Sequence, residues 1–327
     1  MNRKHRPIVV VGSINLDLVC RGKRIPAPGE TLSADEFHTF NGGKGANQAV
    51  AVARLGHPVS MIGKVGDAEF GQRLRDGLKA AGVNAQAVET AKGTSSGVAL
   101  ITVDHRGQNS ISVVPGANAR VMPEDLDRWT PRLRSAGMIL AQLEIPLQTV
   151  EYLAELAEQF AVPLMLDPAP ARKLPRTLLR RVTFLTPNEA ETCALCGIAN
   201  REDLDEKTAA ESAEHLLKQG ARNVIVKMGR RGAYVATADG LRQMVPGFKV
   251  KAVDTTAAGD AFNGGLAVAL LRGTPIAEAV RYASAVGAVS VTRAGAQPAM
   301  PVSAEVEGLL GTSGAMPRRP TRAKAIG

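Results

Sequence analysis

Residues 254–265 read Asp254-Thr255-Thr256-Ala257-Ala258-Gly259-Asp260-Ala261-Phe262-Asn263-Gly264-Gly265, and an apolar run continues to Leu271. Small residues at a helix start let backbone N–H groups approach an anion closely, and the helix dipole adds partial positive charge there. Asp260 then stands beside an anion hole, where a carboxylate has little structural reason to be. A base next to an anion trap suits phosphoryl transfer. The base takes the acceptor's proton while the amides hold charge on the transferred group. The plain alternative is that Asp260 only caps a helix, because small-residue turns before helices are common.

Outward from that stretch the chain alternates between strand-like and helix-like runs. Residues 8–11, 59–65, 138–143, 163–167, 184–186 and 223–227 read as strands. Residues 41–56, 69–81, 146–160, 209–219, 260–271 and 276–291 read as helices. The alternation from residue 138 onward implies a parallel sheet covered on both faces. Two predicted hairpins, 98–114 and 234–245, break it. The first, with residues 24–40, is expected to form a small extra sheet covering the site. No internal repeat or low-complexity linker is visible. The expectation is one domain over 1–311, with a lid inserted from about 15–40 and 97–115, and a disordered basic tail over 312–327.

A chain of 327 residues suffices for one large α/β domain. Aromatics make up only 3%, so the core must be mostly Ala, Val, Leu and Ile. No apolar run reaches the roughly 18 residues of a membrane span. The basic N-terminus leads straight into a strand-like run and lacks the features of a signal peptide, so a cytoplasmic location is expected. The net charge of +9 invites a nucleic-acid reading, but its distribution argues against one. Arg3, Lys4 and Arg6 precede the first strand, and Arg318, Arg319, Arg322 and Lys324 follow the last helix-like run. Neither tail holds an acid, the body between them is close to neutral, and no aromatic-studded basic face accompanies them. Cys20, Cys193 and Cys196 include one Cys-x-x-Cys pair, but no second pair exists and the five histidines are scattered, so core packing is expected.

In open α/β sheets ligands bind at the carboxyl ends of strands. Polar clusters fall at those places: Asn15 and Asp17, Glu144, Asp167, Asn188 and Glu191, and residues 229–232. Asn15, Asp17, Gly42, Gly43, Lys44, Asn47 and Glu144 together offer groups for vicinal hydroxyls, since carboxylates and amides each make two hydrogen bonds. Taken singly, each of them reads as well as a turn residue. The Gly-x-x-x-x-Gly-Lys-Ser/Thr spacing of a P-loop is absent around Lys44, which leaves a sugar contact or a solvated residue. Asn188 and Glu191 lie three apart at a helix start. They either organise Mg²⁺ through waters or form a capping pair, and the two roles are compatible. Lys227-Met228-Gly229-Arg230-Arg231-Gly232 is a glycine-flanked turn that fits against a nucleotide or serves only as a hairpin.

Taken together these motifs resemble the ribokinase family of carbohydrate kinases, over about residues 8–301. The most specific matches are residues 42–49 (Gly-Gly-Lys-Gly-Ala-Asn-Gln-Ala), residues 254–260 with Asn263-Gly264, and Asn188 with Glu191. Residues 12–17, 41–48, 167–171 and 295–298 match its ribose-specific branch; fructokinases, adenosine kinases and ketodeoxygluconate kinases share the catalytic end but usually not this whole set. The resemblance implies a three-layer α/β/α sandwich with a mostly parallel central sheet and a small β-sheet lid. It implies ATP-dependent phosphorylation of D-ribose at O5, or of a related acceptor such as deoxyribose, fructose or adenosine. A catalytically silent sugar-binding regulator on the same fold is the rival from another class. Asp260 would be the base, and Ala257, Ala258 and Gly259 would supply the anion hole. Asn15, Leu16, Asp17, Gly43, Lys44, Gly45, Ala46, Asn47 and Glu144 would hold the sugar. Asn188, Lys227, Met228, Gly229, Arg230, Arg231, Gly232, Gly259, Asp260 and Ser284 would line the nucleotide. Mg²⁺ would accompany ATP near Asn188 and Glu191. A monovalent cation, usually K⁺, would sit at Asp254, Thr256, Ser290, Arg293, Gly295 and Ala299, where alanine replaces a common serine. The lid would also join two copies as a homodimer.

Overall fold

Ile8 and Val10 of the first strand pack into one apolar cluster, and Val9 and Val11 into another. A strand buried on both faces needs helices on both sides. The computed structural model describes residues 5–199 and 203–312 and supplies them.

The strands are β1 (Ile8–Val11), β2 (Asn15–Arg21), β3 (Glu36–Gly42), β4 (Val59–Gly66), β5 (Asn84–Ala91), β6 (Gly97–Val103), β7 (Asn109–Val114), β8 (Met138–Ala141), β9 (Leu164–Leu166), β10 (Phe184–Leu185), β11 (Asn223–Lys227), β12 (Gly232–Thr237) and β13 (Arg242–Pro246). The helices are α1 (Lys44–Arg54), α2 (Glu69–Ala80), α3 (Pro123–Arg128), α4 (Thr130–Ser135), α5 (Leu147–Gln159), α6 (Arg176–Leu179), α7 (Glu189–Cys196), α8 (Glu206–Lys218), α9 (Ala258–Leu271), α10 (Ile276–Ser290) and α11 (Ser303–Thr312).

Nine strands form the main sheet in the order β13-β12-β11-β10-β9-β8-β1-β4-β5. All its pairs are parallel except β11–β12 and β12–β13, the latter being the second predicted hairpin. Residues of α1, α2, α9, α10 and α11 fill one cluster, and residues of α3 to α8 fill the other. This is the expected three-layer sandwich. Its core is aliphatic, as the shortage of aromatics requires: Ile8, Leu55, Met61, Leu126 and Leu140 are among its largest fully buried side chains. Cys193 is buried and Cys196 half-buried in α7, and the three cysteines are free thiols.

A second sheet runs β3-β2-β6-β7, with β2 parallel to β6 and the other pairs antiparallel. The sequence reading puts residues 15–40 in the lid but marks no strand at 15–21, where it reads Asn15 and Asp17 as hydroxyl-binding groups or turn residues. They begin a strand whose inner side, with Asp17, Val19 and Arg21, lines a cavity of about 880 Å³ under the small sheet, and the polar residues on that side interrupt the apolar run. The predicted helix at 41–56 begins only at Lys44, because Asn41 and Gly42 complete β3. The sequence reading also misses β5, α3, α4, α6 and α11. The expected tail starts within α11, which includes Gly311 and Thr312. Residues 313–327, with Arg318, Arg319, Arg322 and Lys324, lie outside the described residues, as do Arg3 and Lys4.

Candidate active site

The carboxyl ends of β1, β8, β9, β10 and β11 converge on the first turn of α9. Asp260 sits there, 4% exposed. Asn47 Nδ2 donates to its Oδ2 (3.0 Å), and Gln48 Nε2 donates to its Oδ1 (3.1 Å). Burial raises the Asp260 pKa to about 6. Lys44 opposes that rise, Asp167 adds to it, and the two amide bonds oppose it.

The residues expected to hold the sugar lie around Asp260 or along the strands and helix that lead to it. Asp17 is buried on β2, and a Cβ on Gly42 would meet its carboxylate, so a larger residue at 42 would displace the Asp17 side chain. Burial, then Glu144 and Asp260, push the Asp17 pKa up to about 7. Asn15 Oδ1 accepts from Asn118 Nδ2 (2.6 Å), and Asn118 Oδ1 accepts from the Ile14 amide (2.9 Å). Asn118, which sequence reasoning missed, thus holds Asn15 from the short turn at Gly116–Arg120. Glu144 Oε2 accepts from Ser13 Oγ and from the Lys44 amide (3.1 Å). Gly43 caps α1. Burial works against the charge on the Lys44 side chain, but Asp260, Asp167, Glu144 and Glu191 outweigh it and hold its pKa above the ordinary lysine value.

Three predicted sugar-side residues are used differently. Leu16 is fully buried in the apolar cluster. The Gly45 amide points to Ser13 Oγ (3.4 Å), and the Ala46 amide donates to the Ser13 carbonyl (2.9 Å). Both brace α1 against the β1–β2 connection.

Beyond Asp260 lies a cavity of about 460 Å³, lined by Lys44, Asp167, Glu191, Lys227 and residues 257–260. The N–H groups of Ala257, Gly259 and Asp260 have no backbone acceptor among the described residues, whereas that of Ala258 donates to the Thr255 carbonyl (3.2 Å). Ala257 itself is left-handed, with φ 58° and ψ 15°. Unpaired N–H groups at a helix start are an anion site. An adjoining cavity of about 600 Å³ is lined by Gly229, Arg230, Gly232, Phe248, Phe262 and Ser284, among others. Ser284 Oγ is buried there without a partner. Lys227 lines both cavities and pairs with Asp167 (2.8 Å). Two predicted nucleotide residues are turned away. Met228 is buried in the core, and Arg231 pairs with Glu189 and Asp203 (3.3 Å for the latter).

Asn188 and Glu191 form a reciprocal cap: Asn188 N–H donates to Glu191 Oε2 (2.7 Å), and Glu191 N–H donates to Asn188 Oδ1 (2.8 Å). The cap engages Oε2 and leaves Oε1 over, so a water-mediated metal fits beside it. Burial pushes the Glu191 carboxyl up, Lys227 opposes, and Asp167 adds to the rise.

At the expected cation loop, both Asp254 oxygens are taken, by the amides of Thr256 (2.9 Å) and Gly295 (2.9 Å). Arg293 pairs with Glu305 (2.6 Å), Ser290 Oγ donates to the Gly287 carbonyl (2.8 Å), and Ala299 is fully buried. Each Asp254 oxygen keeps a further lone pair, and the loop's backbone carbonyls add to the oxygens on offer there.

Sequence reasoning gave Gln48 and Gln142 no role in the site; it put Lys227 beside the nucleotide and Asp167 at the ligand edge but did not foresee that the two pair. Gln48 lay in plain view, next to Asn47 in the quoted motif.

Comparison with known proteins shows the family. The model of the pfkB family carbohydrate kinases matches residues 6–303. A ribokinase of Schizosaccharomyces pombe is 41% identical over 308 residues, covering 92% of this chain and 96% of its own. A deoxyribokinase of Salmonella typhi is 40% identical over 295 residues, covering 90% and 95%. The structure of Arabidopsis thaliana ribokinase complexed with ribose and ATP superposes with a TM-score of 0.87 at 33% identity, covering 93% of this chain and 98% of that one. Matched by that family model over nearly its whole length, and 41% identical to one of its ribokinases, this chain belongs to the pfkB family of carbohydrate kinases.

Proposed function

We propose that this kinase transfers the γ-phosphoryl group of ATP to O5 of D-ribose, giving D-ribose 5-phosphate and ADP. The observation that carries this reading is the place of Asp260. It lies between the hydroxyl-binding groups and the cavity at the α9 N-terminus, with both its oxygens oriented by amides. Ribokinases among the relatives support ribose as acceptor, and the Salmonella typhi deoxyribokinase keeps 2-deoxyribose as the second reading.

Asn15, Asp17, Gly43, Lys44, Asn47 and Glu144 bind and orient the sugar. Asp260 takes the proton of the 5-hydroxyl as the O5–phosphorus bond forms and the bond to ADP breaks. The free amides at Ala257 and Gly259 hold charge on the transferred group, and the Lys44 ammonium stands beside them. Asn188, Lys227, Gly229, Arg230, Gly232 and Ser284 line the nucleotide. Mg²⁺, held through water near Asn188 and Glu191, would neutralise phosphate charge. Carbonyls of the loop at Asp254, Thr256, Ser290, Arg293, Gly295 and Ala299 would hold K⁺ beside the anion hole. The lid excludes water from the cleft. A homodimer through the lid and a cytoplasmic location, where ATP is supplied, complete the reading.

The test is ADP release with Mg·ATP across ribose, 2-deoxyribose, fructose and adenosine, each in Na⁺ or K⁺. Ribose preferred and K⁺-stimulated is the expected result. Preference for another acceptor overturns the substrate, and equal rates in the two salts overturn the cation. No turnover with measurable ribose binding favours a silent sugar-binding protein.

A further inference from the structure

Gln48 occupies the centre of the site and is 1% exposed. Its Nε2 donates to Oδ1 of Asp260 (3.1 Å) and to Oδ2 of Asp167 (3.1 Å). Its Oε1 accepts from Gln142 Nε2 (2.7 Å). Ionised carboxylates only accept, and an amide nitrogen carries two hydrogens, one for each, so the orientation of the amide is forced. Gln142 follows β8 and is fully buried. Its place exists because residue 12 is glycine: a Cβ there would meet Gln142 Oε1. On the far side, Asp167 Oδ1 pairs with Lys227 (2.8 Å), which lines both cavities. The result is a buried chain Lys227–Asp167–Gln48–Asp260, anchored sideways on Gln142.

We propose that Gln48 is the positioning residue of the base: its amide fixes Oδ1 of Asp260 and separates it from the carboxylate of Asp167, so that Asp260 keeps the orientation and charge needed to accept a proton. This deepens the kinase reading and rests on it. Two buried like charges with one donor group between them depend on that donor. Without it they repel, one turns away, and one takes up a proton at higher pH. The charged groups facing Asp260 are Lys44 from α1, Asp17 from β2 and Asp167 after β9. Behind these stand Glu144 after β8, Lys227 on β11 and Glu191 on α7. Gln48 is the uncharged group placed between the two nearest carboxylates.

Three variants test the role. Gln48→Met keeps length and removes both donors. Gln142→Met breaks only the anchor and leaves the carboxylates their donor. Asp167→Asn removes the neighbouring charge. Two readouts are taken: kcat against pH at saturating ribose and ATP, and the ¹³C-carboxyl titration of Asp260 in the free protein, assigned by its loss in Asp260→Asn. Gln48→Met is expected to lower kcat roughly 10- to 100-fold, with KM for ribose changed by no more than about threefold. It moves the acid limb and the Asp260 titration to higher pH, and Gln142→Met moves both the same way by less. Asp167→Asn moves both to lower pH. A residue that only packs would lower the melting temperature and shift neither titration.

Should Gln48→Met not fold, the opposite shifts of Gln142→Met and Asp167→Asn decide. The proposal is overturned if the folded variants leave the Asp260 titration in place, or if all shift it in one direction. Failure of the wild type to phosphorylate any sugar overturns the kinase reading instead. The carboxyl titration still reports on Gln48 in that case.

Discussion

The side-chain amide of Asn47 donates to Oδ2 of Asp260 across 3.0 Å, joining the first turn of α1 to the first turn of α9. The α1 turn follows the glycines proposed to meet the sugar, and the α9 turn carries the amides proposed as the anion hole. One carboxylate thereby ties together the two halves of the proposed site.

Asp260→Asn removes the proton acceptor and keeps the shape. Turnover should fall at least ~10²-fold, while ribose and ATP still bind in calorimetry. Turnover within a few-fold of wild type would show that another group is the base.

The pH dependence should differ between kcat/KM and kcat. In the free protein Asp17 titrates at about 7 and Asp260 at about 6. Both must shed protons for a fully charged site, so kcat/KM for ribose should fall over two ionisations as pH drops from about 8 to about 5. In the complex the bound sugar occupies Asp17, and kcat should lose only the base ionisation. Parallel profiles would mean that Asp17 does not meet the sugar.

Asp17 is also expected to cost the empty protein stability. Its folded pKa of about 7 lies above the ordinary 3.8, so the folded state holds a proton that the unfolded state has released. Stability from this group falls as pH rises from about 4 to about 7, and the loss is complete above that. Asp17→Asn should therefore raise the melting temperature more at about pH 8 than at about pH 5, while abolishing tight sugar binding. An equal gain at both values would contradict the buried charge.

Ala257 holds a left-handed backbone that glycine adopts freely and β-branched residues resist. Ala257→Gly should melt and turn over much like the wild type. Ala257→Val should lose about 1–3 kcal/mol and displace the anion-hole amides, lowering kcat roughly tenfold or more. A valine variant with wild-type melting and turnover would show that the anion hole does not depend on this backbone shape.

Phe37 and Leu100 are 64% and 49% exposed on the side of the lid sheet away from the cavity. Covering them with a second copy removes apolar surface from water. Phe37→Glu should turn a dimer into a monomer in light scattering. A wild type that is monomeric at micromolar concentration would overturn the lid as an interface.

Much of this was legible in the sequence, for physical reasons. Polar residues directly after buried strands marked the ligand edge at Glu144 and Asn188, and small residues at a helix start marked Asp260, before any fold was seen. β2 was not legible, because Asn15, Asp17 and Arg21 alternate with its apolar residues and interrupt the apolar run. The Gln48–Asp167 bond joins residues far apart in the chain, and no local pattern announces it. Leu16, Gly45 and Ala46 sit within recognisable motifs, but motif membership does not say whether a residue turns to the ligand or to the core. Arg231 shows the same limit: a glycine-flanked turn leaves the direction of its side chains open.

Successive residues of β2 point to opposite sides of the lid. Asp17 faces the cavity, while Leu18 and Cys20 share the other face with Phe37 and Leu100. The strand that aims a carboxylate at the sugar is thus the strand that a second copy would clamp from behind. Sugar affinity and self-association would then be two readings of one strand's position. Diluting the protein below the dissociation constant of that pair would weaken ribose binding with every sugar-touching residue unchanged.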